Sequence, residues 1–529
     1  VIVFGMNVIK DGEQWKKTET IEDLIELEQY FTNKKGKIQT SLLEIADYSW
    51  KISFHHENYF SKTISFDSLV NLDFEVTLSS NANSLEETVV SASRIAEKKK
   101  DVIQKIRVIQ SLEIQNQNQS SMADLIDNSG NVFVQKSQLG GGSPIIRGFE
   151  TNKVLMVVDG VRMNNAIYRG GHLQNIITLD NSIMDRVEVV FGPGSVIYGS
   201  DAIGGVMTFK TKDPVLSRKD KVMVIGDAYT RYFSAANGFS SNAHVSVGNK
   251  KIGSLTSFTY SKFGDLRQGS KRSDITKGFG ERNWYVSSLN GMDTMLNNSN
   301  PNMQIGSGYE QYDMLQKFIY KPNEFVLHKV NLQLSNSGNV DRYDRLTQLE
   351  NGQAKYAQWY YGPQFRFLSS YSLELSKSNK FFDFSKFVLA YQSIEESRMV
   401  RKFRDVELKS RNESLDIITF NFDFSKLLPY TRRNGKILTH ELRYGVDIFY
   451  NDVKSNAFST NIINLQESLL DSRYPDGGSD MFSFAVYITD NIEFNDKMIF
   501  NIGIRSSQVR LNADFIDKTF FPFQLFVVK

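Results

Sequence analysis

From about residue 220 onward, hydrophobic and polar positions alternate with period two. Val330, Leu332 and Leu334 alternate with Asn331, Gln333 and Ser335, and Ile418, Phe420, Phe422 and Phe424 with Thr419, Asn421 and Asp423. The same rhythm runs through Leu442, Tyr444, Val446, Ile448 and Tyr450, and again through Phe482, Phe484, Val486 and Ile488. Successive side chains of an extended chain point to opposite faces, so these runs predict β-strands with one apolar and one mostly polar face. Long polar insertions separate them, from Gly264 to Tyr312, Asp341 to Gln364 and Lys454 to Asp480, whereas Arg433-Asn434-Gly435 reads as a short turn. Alternating segments near the roughly 9 to 11 residues that cross a bilayer, joined by long connections on one side and short ones on the other, predict a transmembrane antiparallel β-barrel over a soluble sheet with one solvated face.

Upstream the texture changes. Residues 98–215 mix a helix-like stretch, Ser121 to Asn128, with strand-like runs Lys153 to Val158 and Arg186 to Phe191, interrupted by glycine clusters at Gly140–Gly142, Gly170-Gly171, Gly192–Gly199 and Gly204-Gly205. That predicts a small α+β unit with tight turns. Residues 1–82 carry short strand-like runs, Trp50, Ile52 and Phe54 among them, with Asn33 to Gly36 as a turn, and predict a β-sandwich. Between the two, residues 83–97 hold Thr88-Val89-Val90-Ser91-Ala92 among charged and polar flanks. It is a segment too short to bury itself, suited either to a plain linker or to adding as a strand to another protein's sheet edge.

Composition narrows the function classes. The chain has 529 residues, no cysteine, 62 Lys+Arg against 60 Asp+Glu and a net charge of +2, so neither a disulfide framework nor a nucleic-acid partner is indicated. The mean hydropathy of −0.34 and the absence of any long apolar run exclude a helical membrane protein but not a β-barrel, whose alternation averages out as hydrophilic. Aromatic residues at 12% and only 9 prolines favour the barrel. Val1 opens the sequence without a charged-then-apolar leader, so a signal peptide is expected to have been removed or to lie upstream. Nothing supports catalysis or a resident cofactor. Gly192-Pro193-Gly194 lacks the third glycine of a dinucleotide fingerprint, Ile197 standing in its place, and His55-His56-Glu57 would point to opposite faces of a strand with no companion metal ligand.

Three motifs in order then give the middle unit a family. Gly141-Gly142-Ser143-Pro144-Ile145-Ile146-Arg147-Gly148-Phe149, Val154-Leu155-Met156-Val157-Val158-Asp159-Gly160-Val161-Arg162-Met163-Asn164, and Arg186-Val187-Glu188-Val189-Val190-Phe191-Gly192-Pro193-Gly194-Ser195 running on to Tyr198-Gly199 and Gly204-Gly205 resemble the plug domain of TonB-dependent outer-membrane receptors, nearest in texture to the haem and haemoglobin-siderophore branch. The resemblance implies a plug (98–215) inside a transmembrane β-barrel (216–529), preceded by a TonB box at Thr88, Val89, Val90, Ser91 and Ala92. The first domain, through its FTNKKGKIQTSLLEIADYSWKISF stretch, resembles the carboxypeptidase-regulatory-like extension, with Asn33 where an Asp is usual.

The resemblance further implies that Arg147, Gly148, Asp159, Gly160, Arg162, Arg186, Glu188, Gly192, Gly194, Tyr198, Gly199, Gly204 and Gly205 are structural plug residues. Arg147 and Arg186 are the candidates for a latch to barrel glutamates, and Phe191 replaces an arginine common in relatives and so removes a charge from that latch. The segment Asn165 to Asn175 is expected to form an apical loop in which Tyr168, Arg169, His172 and Gln174 meet the ligand. His172 would serve as a metal ligand only if the cargo is haem, and the aromatic stretch from Asp341 to Gln364 would complete the pocket.

The function implied is TonB-dependent active transport of a scarce nutrient, haem or an iron-siderophore, across the outer membrane of a Gram-negative bacterium. Its partners would be a TonB-type energy-transducing protein, outer-membrane lipid, the small nutrient and a surface lipoprotein companion. Two rivals are a glycan importer of the same architecture, disfavoured because VLMVV precedes Asp159 in place of that branch's Pro-Leu-Tyr-Val-Ile, and a surface receptor or adhesin that signals occupancy. The roughly 314 residues after residue 215 supply about 12 to 14 strands against the 22 of plugged transporters, so the barrel is expected to be incomplete at its C-terminal side.

Overall fold

The computed structural model describes residues 88–99, 102–137, 139–168, 176–289, 291–431, 437–495 and 498–517, and of the N-terminal stretch 2–11, 14–17, 24–30, 51–56, 59–65 and 68. Two compact units share the chain. One comprises 1–89 with 97–101, the other 90–96 with 102–529.

In the first unit, Ile2–Asp11 is the centre of an antiparallel five-stranded sheet. Gln14–Lys17, Leu24–Tyr30 and Lys51–His56 pair with it, and Tyr59–Ser65 pairs with Lys51–His56. Ile52 and Phe54 lie on Lys51–His56, while Trp50 and the turn from Asn33 to Gly36 fall outside the described residues. The described residues hold one sheet, and the two-layer sandwich over 1–82 stands as a proposal. Thr88–Val89 pairs with Glu97–Lys98 in a two-stranded ladder of its own.

In the second unit, the expected α+β plug is built on a sheet in the order Val161–Arg162, Val154–Val158, Gly205–Thr211, Met184–Phe191, Lys105–Gln110. The apolar run VLMVV is buried at every position, and so is nearly all of Gly205–Thr211, its parallel neighbour. Continuous burial is what strands covered on both faces require. Helices Ser111–Gln117 and Met122–Asn128 cover one face with Ile114, Met122, Leu125 and Ile126, which pack on Met156, Val189 and Phe209. Met122–Asn128 starts where Ser121 accepts a bond from the Asp124 N–H, and Asp124 is also paired with Lys136 at 2.5 Å.

Asp159 and Gly160 form the two-residue loop of a hairpin, both with positive φ (49° and 88°), the geometry that Asp-Gly favours. Gly199 adopts φ 92°, as expected of a glycine turn. Gly204 is needed for a different reason: a β-carbon there would run into Phe149 and come within 2.9 Å of the Lys153 carbonyl oxygen. Its role is close approach, not the special dihedral that the sequence suggested.

Among the described residues that follow, the large sheet is antiparallel with eleven strands on its main path, from Met223–Phe233 to Met498–Ala513, and three two-stranded ladders lie in its long connections. The alternating runs fall on strands Val326–Ser337, Glu407–Thr431, Ile437–Asn461 and Ser479–Asn495. Their faces are inverted relative to a water-soluble protein. Asn331, Gln333 and Ser335 are buried, and so are Thr419, Asn421 and Asp423, whereas Val330, Ile418, Phe482, Phe484, Val486 and Ile488 are exposed. A polar interior with an apolar exterior is stable only where the exterior meets lipid. Tyr320, His328, Tyr371, Phe387, Phe420, Phe422, Phe424 and Tyr444 make a run of ring contacts across neighbouring strands near their short-connection ends, the aromatic girdle of such a wall.

The long connections are 264–308, 338–364 and 462–478. The third is shorter than the predicted insertion from Lys454 to Asp480, because 454–461 continues in register against Glu407–Ser414. Arg433-Asn434-Gly435 lies outside the described residues.

Candidate functional site

The candidate site is the seam between plug and wall, and it begins with Asp159. Held at the tip of its hairpin, this carboxylate accepts bonds from the Thr211 N–H (3.0 Å) and hydroxyl (2.6 Å) within the plug, and from Asn331 Nδ2 (3.0 Å) and Gln333 Nε2 (2.9 Å) of the wall. Lys317 Nζ stands 3.3 Å away and also contacts Asp213 at 3.1 Å, and Lys329 reaches Asp213 at 3.0 Å. Burial would raise the Asp213 pKa, but Lys317, Lys329 and Lys210 outweigh it and hold the carboxyl well below the usual range. On this side the plug is acidic and the wall basic.

On the other side the signs reverse. Arg94 pairs with the wall carboxylates Asp447 (3.2 Å) and Asp423 (3.6 Å) and lies 4.8 Å over the Tyr198 ring. Arg162 pairs with Asp201 at 2.7 Å and stands 3.9 Å from Asp447. Asp447 is shared further with Arg505 at 2.8 Å, whose guanidinium also donates to the Ile197 carbonyl. Tyr487 donates to Asp423 at 2.6 Å. Four residues upstream of Arg94, the N–H groups of Val90 and Ser91 both donate to Glu188 Oε2 at 2.9 Å, and Glu188 Oε1 is held by Arg186 at 2.7 Å.

A third contact lies toward the long connections. The Ala166 N–H donates to Asn451, the Tyr474 hydroxyl donates to the Ile167 carbonyl at 3.0 Å, and Ile167 packs on Ile394, Leu415, Ile417, Phe449 and Val453. Tyr474 belongs to connection 462–478, whereas Asp447 pairs with Asn421 and that residue with Val388, close to a short-connection end. The Tyr168 tip and the Arg94 cluster thus sit toward opposite ends of the wall. Burial pushes the Tyr168 phenol up, with Glu396 adding to the rise.

The sequence-derived residues are distributed over this seam unequally. Asp159, Arg162 and Glu188 are central to it. Thr88 and Val89 are extended as expected, but Ser91 and Ala92 lie in a turn closed by the Arg94 N–H on the Val90 carbonyl, with Arg94 at φ 63°. The latch assignment needs correction. Arg186 pairs with Glu188 and Asp185 of its own strand, and Arg147 lies 6.0 Å over Phe191; neither has an ion pair with the wall among the described residues. Phe191 is a plug core residue carrying Lys105 and Arg147 over its ring, so it supplies a cation–π platform where a latch charge was thought missing.

The wall partners are aspartates, not glutamates. Sequence reasoning missed Arg94, Lys317, Asp423, Asp447 and Arg505. A signal was available for Asp423, which stands between the inward-facing polar residues Asn421 and Ser425. Arg94 lies in a turn, and Lys317 and Asp447 have the apolar Leu315, Ile319 and Phe449 at two-residue spacing, so the polar pattern does not mark them. Arg169, His172 and Gln174 lie outside the described residues. Of the Asp341 to Gln364 stretch, Arg342, Trp359 and Tyr361 pack on one another, with the Arg342 guanidinium 4.8 Å from the Trp359 ring and donating to the Tyr361 hydroxyl at 2.6 Å.

Known proteins bear on this arrangement. A family model described as the TonB-dependent Receptor Plug Domain matches residues 98–206. The chain is 30% identical over 272 residues to a vitamin B12 transporter, BtuB, of Vibrio vulnificus strain CMCP6, which covers 51% of this chain and 37% of the relative. It is 26% identical over 227 residues to a hemin receptor of Yersinia pestis, covering 41% of this chain and 32% of the relative. The chain thus spans about a third of the length of these curated relatives.

Among solved structures, the Serratia marcescens hemophore receptor HasR aligns at a TM-score of 0.57 and 13% identity, over 78% of this chain and 53% of that one. The ferric citrate transporter FecA aligns at 0.54 and 16%, over 78% and 57%. The family match identifies residues 98–206 as a TonB-dependent receptor plug domain, and these solved outer-membrane receptors share the fold of the chain.

Proposed function

We propose that the chain carries out TonB-dependent active uptake of a scarce nutrient across the outer membrane of a Gram-negative bacterium, with the wall's apolar face in outer-membrane lipid. The observation that carries this reading is the double hold on the segment following Thr88–Val89. Glu188 grips the Val90 and Ser91 N–H groups, and the buried Arg94–Asp447 pair closes the turn onto the wall. A pull on Thr88 to Ala92 loads Glu188, which lies on the longest strand of the plug sheet, and Asp447, which also steadies Arg162 and Arg505. A mechanical input at one end of the wall is thereby coupled to the plug.

A TonB-type energy-transducing protein is the proposed source of the pull. It would pair with Thr88 to Ala92 by strand addition, in which backbone bonds supply affinity. The proposed domain bounds are 1–82, 83–97, 98–215 and 216–529. The cargo class is a bulky metal chelate, haem or an iron-siderophore, supported by relatives named for vitamin B12 and hemin, and Tyr168, Arg169, His172 and Gln174 are its proposed contacts.

Val89→Pro tests the reading, because proline removes a backbone donor from the added strand. Haemin uptake by cells carrying this variant is expected to be lost while haemin binding to the purified protein is retained. Uptake at the unsubstituted rate would refute the assignment.

A further inference from the structure

Beside the plug tip several buried donors have no acceptor, with the carboxylates Glu396 and Glu413 one level further along the wall. Arg366 is the second residue of the wall strand Phe365–Leu375 and is 4% exposed. Its guanidinium donates to Gln392 Oε1 from Nη2 at 3.1 Å and from Nε at 3.4 Å, and Gln392 is fixed in turn because its amide donates to the Arg162 carbonyl at 2.9 Å. No carboxylate lies within ion-pair distance of Arg366 among the described residues. Asp159, which acts on it from further off, is already committed to Thr211, Asn331, Gln333 and Lys317.

Two positions earlier on the same face, Gln364 is 3% exposed and its Nε2 has no acceptor. The buried amide nitrogens of Asn165 and Asn451 are in the same condition, their orientation set because their oxygens accept the Ile167 and Ala166 N–H groups. Strand register puts Arg366, Ile394, Leu415 and Val453 on one level of the wall, the level at which Ile167 packs.

A buried guanidinium is costly unless an anion with matching geometry meets it, and each buried amide N–H without an acceptor adds to the cost. We propose that Arg366 and Gln364 form an anion subsite beside the plug tip that takes a carboxylate of the cargo. The inference rests on the uptake reading and names its substrate class: a chelate bearing carboxylates, either the propionates of a tetrapyrrole or the arms of a carboxylate siderophore. A planar guanidinium can meet a carboxylate with two parallel bonds, and the amide of Gln364 adds a third donor. Arg366 would be a binding residue that the sequence motifs of the plug do not include.

The experiment titrates the purified full chain in detergent micelles with haemin, haemin dimethyl ester, ferric citrate and cyanocobalamin. Haemin or ferric citrate is expected to bind, with haemin about tenfold tighter than its ester if the source is a tetrapyrrole. Arg366→Gln should abolish the preference for the charged probe and leave the ester's affinity unchanged. Arg366→Lys and Gln364→Ala, which perturb assembly less, should each weaken the charged probe several-fold and leave the ester alone. Preference for haemin alone identifies the tetrapyrrole source, and binding of ferric citrate alone identifies the carboxylate chelate.

Equal binding of haemin and ester without ferric citrate binding, binding of neither charged probe, or a charge preference that survives all three substitutions would overturn the proposal. The titration needs no energy-transducing partner. Charge-selective capture without uptake would therefore sink the uptake reading alone, and uptake without charge selectivity would sink only the subsite.

Discussion

The two sides of the plug seam use opposite charge arrangements for different ends. Around Asp159 and Asp213 the plug presents carboxylates to Lys317, Lys329, Asn331 and Gln333 of two neighbouring wall strands, and Asp159 has nearly every lone pair occupied. Around Arg94 the plug side presents guanidiniums to Asp423 and Asp447, and Asp447 is shared among Arg94, Arg162 and Arg505. The first is a saturated anchor that loses an acceptor for several donors if broken. The second is a shared one, in which Arg94 can leave while Asp447 keeps two partners. Opposite polarity on the two sides also disfavours seating the plug the wrong way round, because each misplaced side would bury like charges together.

Asp159→Ala is expected to have the largest effect. It leaves Lys317 with Asp213 as its carboxylate partner beside the Thr211 carbonyl, strips the acceptor from Asn331 and the Thr211 N–H and hydroxyl, and leaves Gln333 only the longer bond to Asn331, a loss of about 3 kcal/mol. The expected readout is a lower urea midpoint for the purified chain, and a midpoint unchanged by the substitution would erase the distinction between anchor and latch.

Arg94→Ala should act locally and more weakly, by about 2 kcal/mol. Because the chain has no cysteine, a single Ser93→Cys, at a position 1% exposed, reports opening of the turn through thiol labelling. Labelling is expected to accelerate in the Arg94→Ala background with little change in the urea midpoint. Equal rates with and without Arg94 would show that the turn is held by something else.

Acid separates the two sides further. Asp213 has a folded pKa below its unfolded value near 3.9. Its contribution is therefore present above that unfolded value and is lost as pH falls through the lower folded one. Melting temperatures of the chain and of Asp213→Asn should differ at neutral pH and converge well below pH 4. Parallel curves down to the lowest pH would mean that the lysines around Asp213 do not stabilise its charge.

Glu188→Gln is expected to have the smallest effect on the turn, about 1 kcal/mol, since the amide oxygen still accepts the Val90 and Ser91 N–H groups while Arg186 loses one carboxylate and falls back on Asp185. It should raise Ser93→Cys labelling slightly, and an effect larger than that of Arg94→Ala would reverse the assignment of the main latch.

Much of this molecule was legible from local pattern. The helix expected over Ser121 to Asn128 forms as Met122–Asn128 with Ser121 as its cap, and the strands expected at Lys153 to Val158 and Arg186 to Phe191 form as Val154–Val158 and Met184–Phe191. The extension of Ile437–Asn461 beyond residue 453 was not legible. There, apart from Phe458, both faces are polar or small, so the apolar alternation that marks a bilayer-crossing strand disappears while pairing with Glu407–Ser414 continues. The latch was illegible for another reason. Arg94 and Asp447 are 353 positions apart, and nothing near either of them distinguishes this pairing from Arg147 or Arg186 with another wall acid.

The sequence alone determined the architecture, because strand faces, hairpin loops and glycine turns follow from interactions spanning only a few residues: period-two alternation, Asp159-Gly160 at a tight loop, Gly199 where φ is positive. The tertiary structure decided which charges meet, which arginine is left without an acid and which end of the wall each plug segment faces. Those outcomes depend on the register of distant strands, and a register is a sum over many weak pairings that no short stretch of sequence contains.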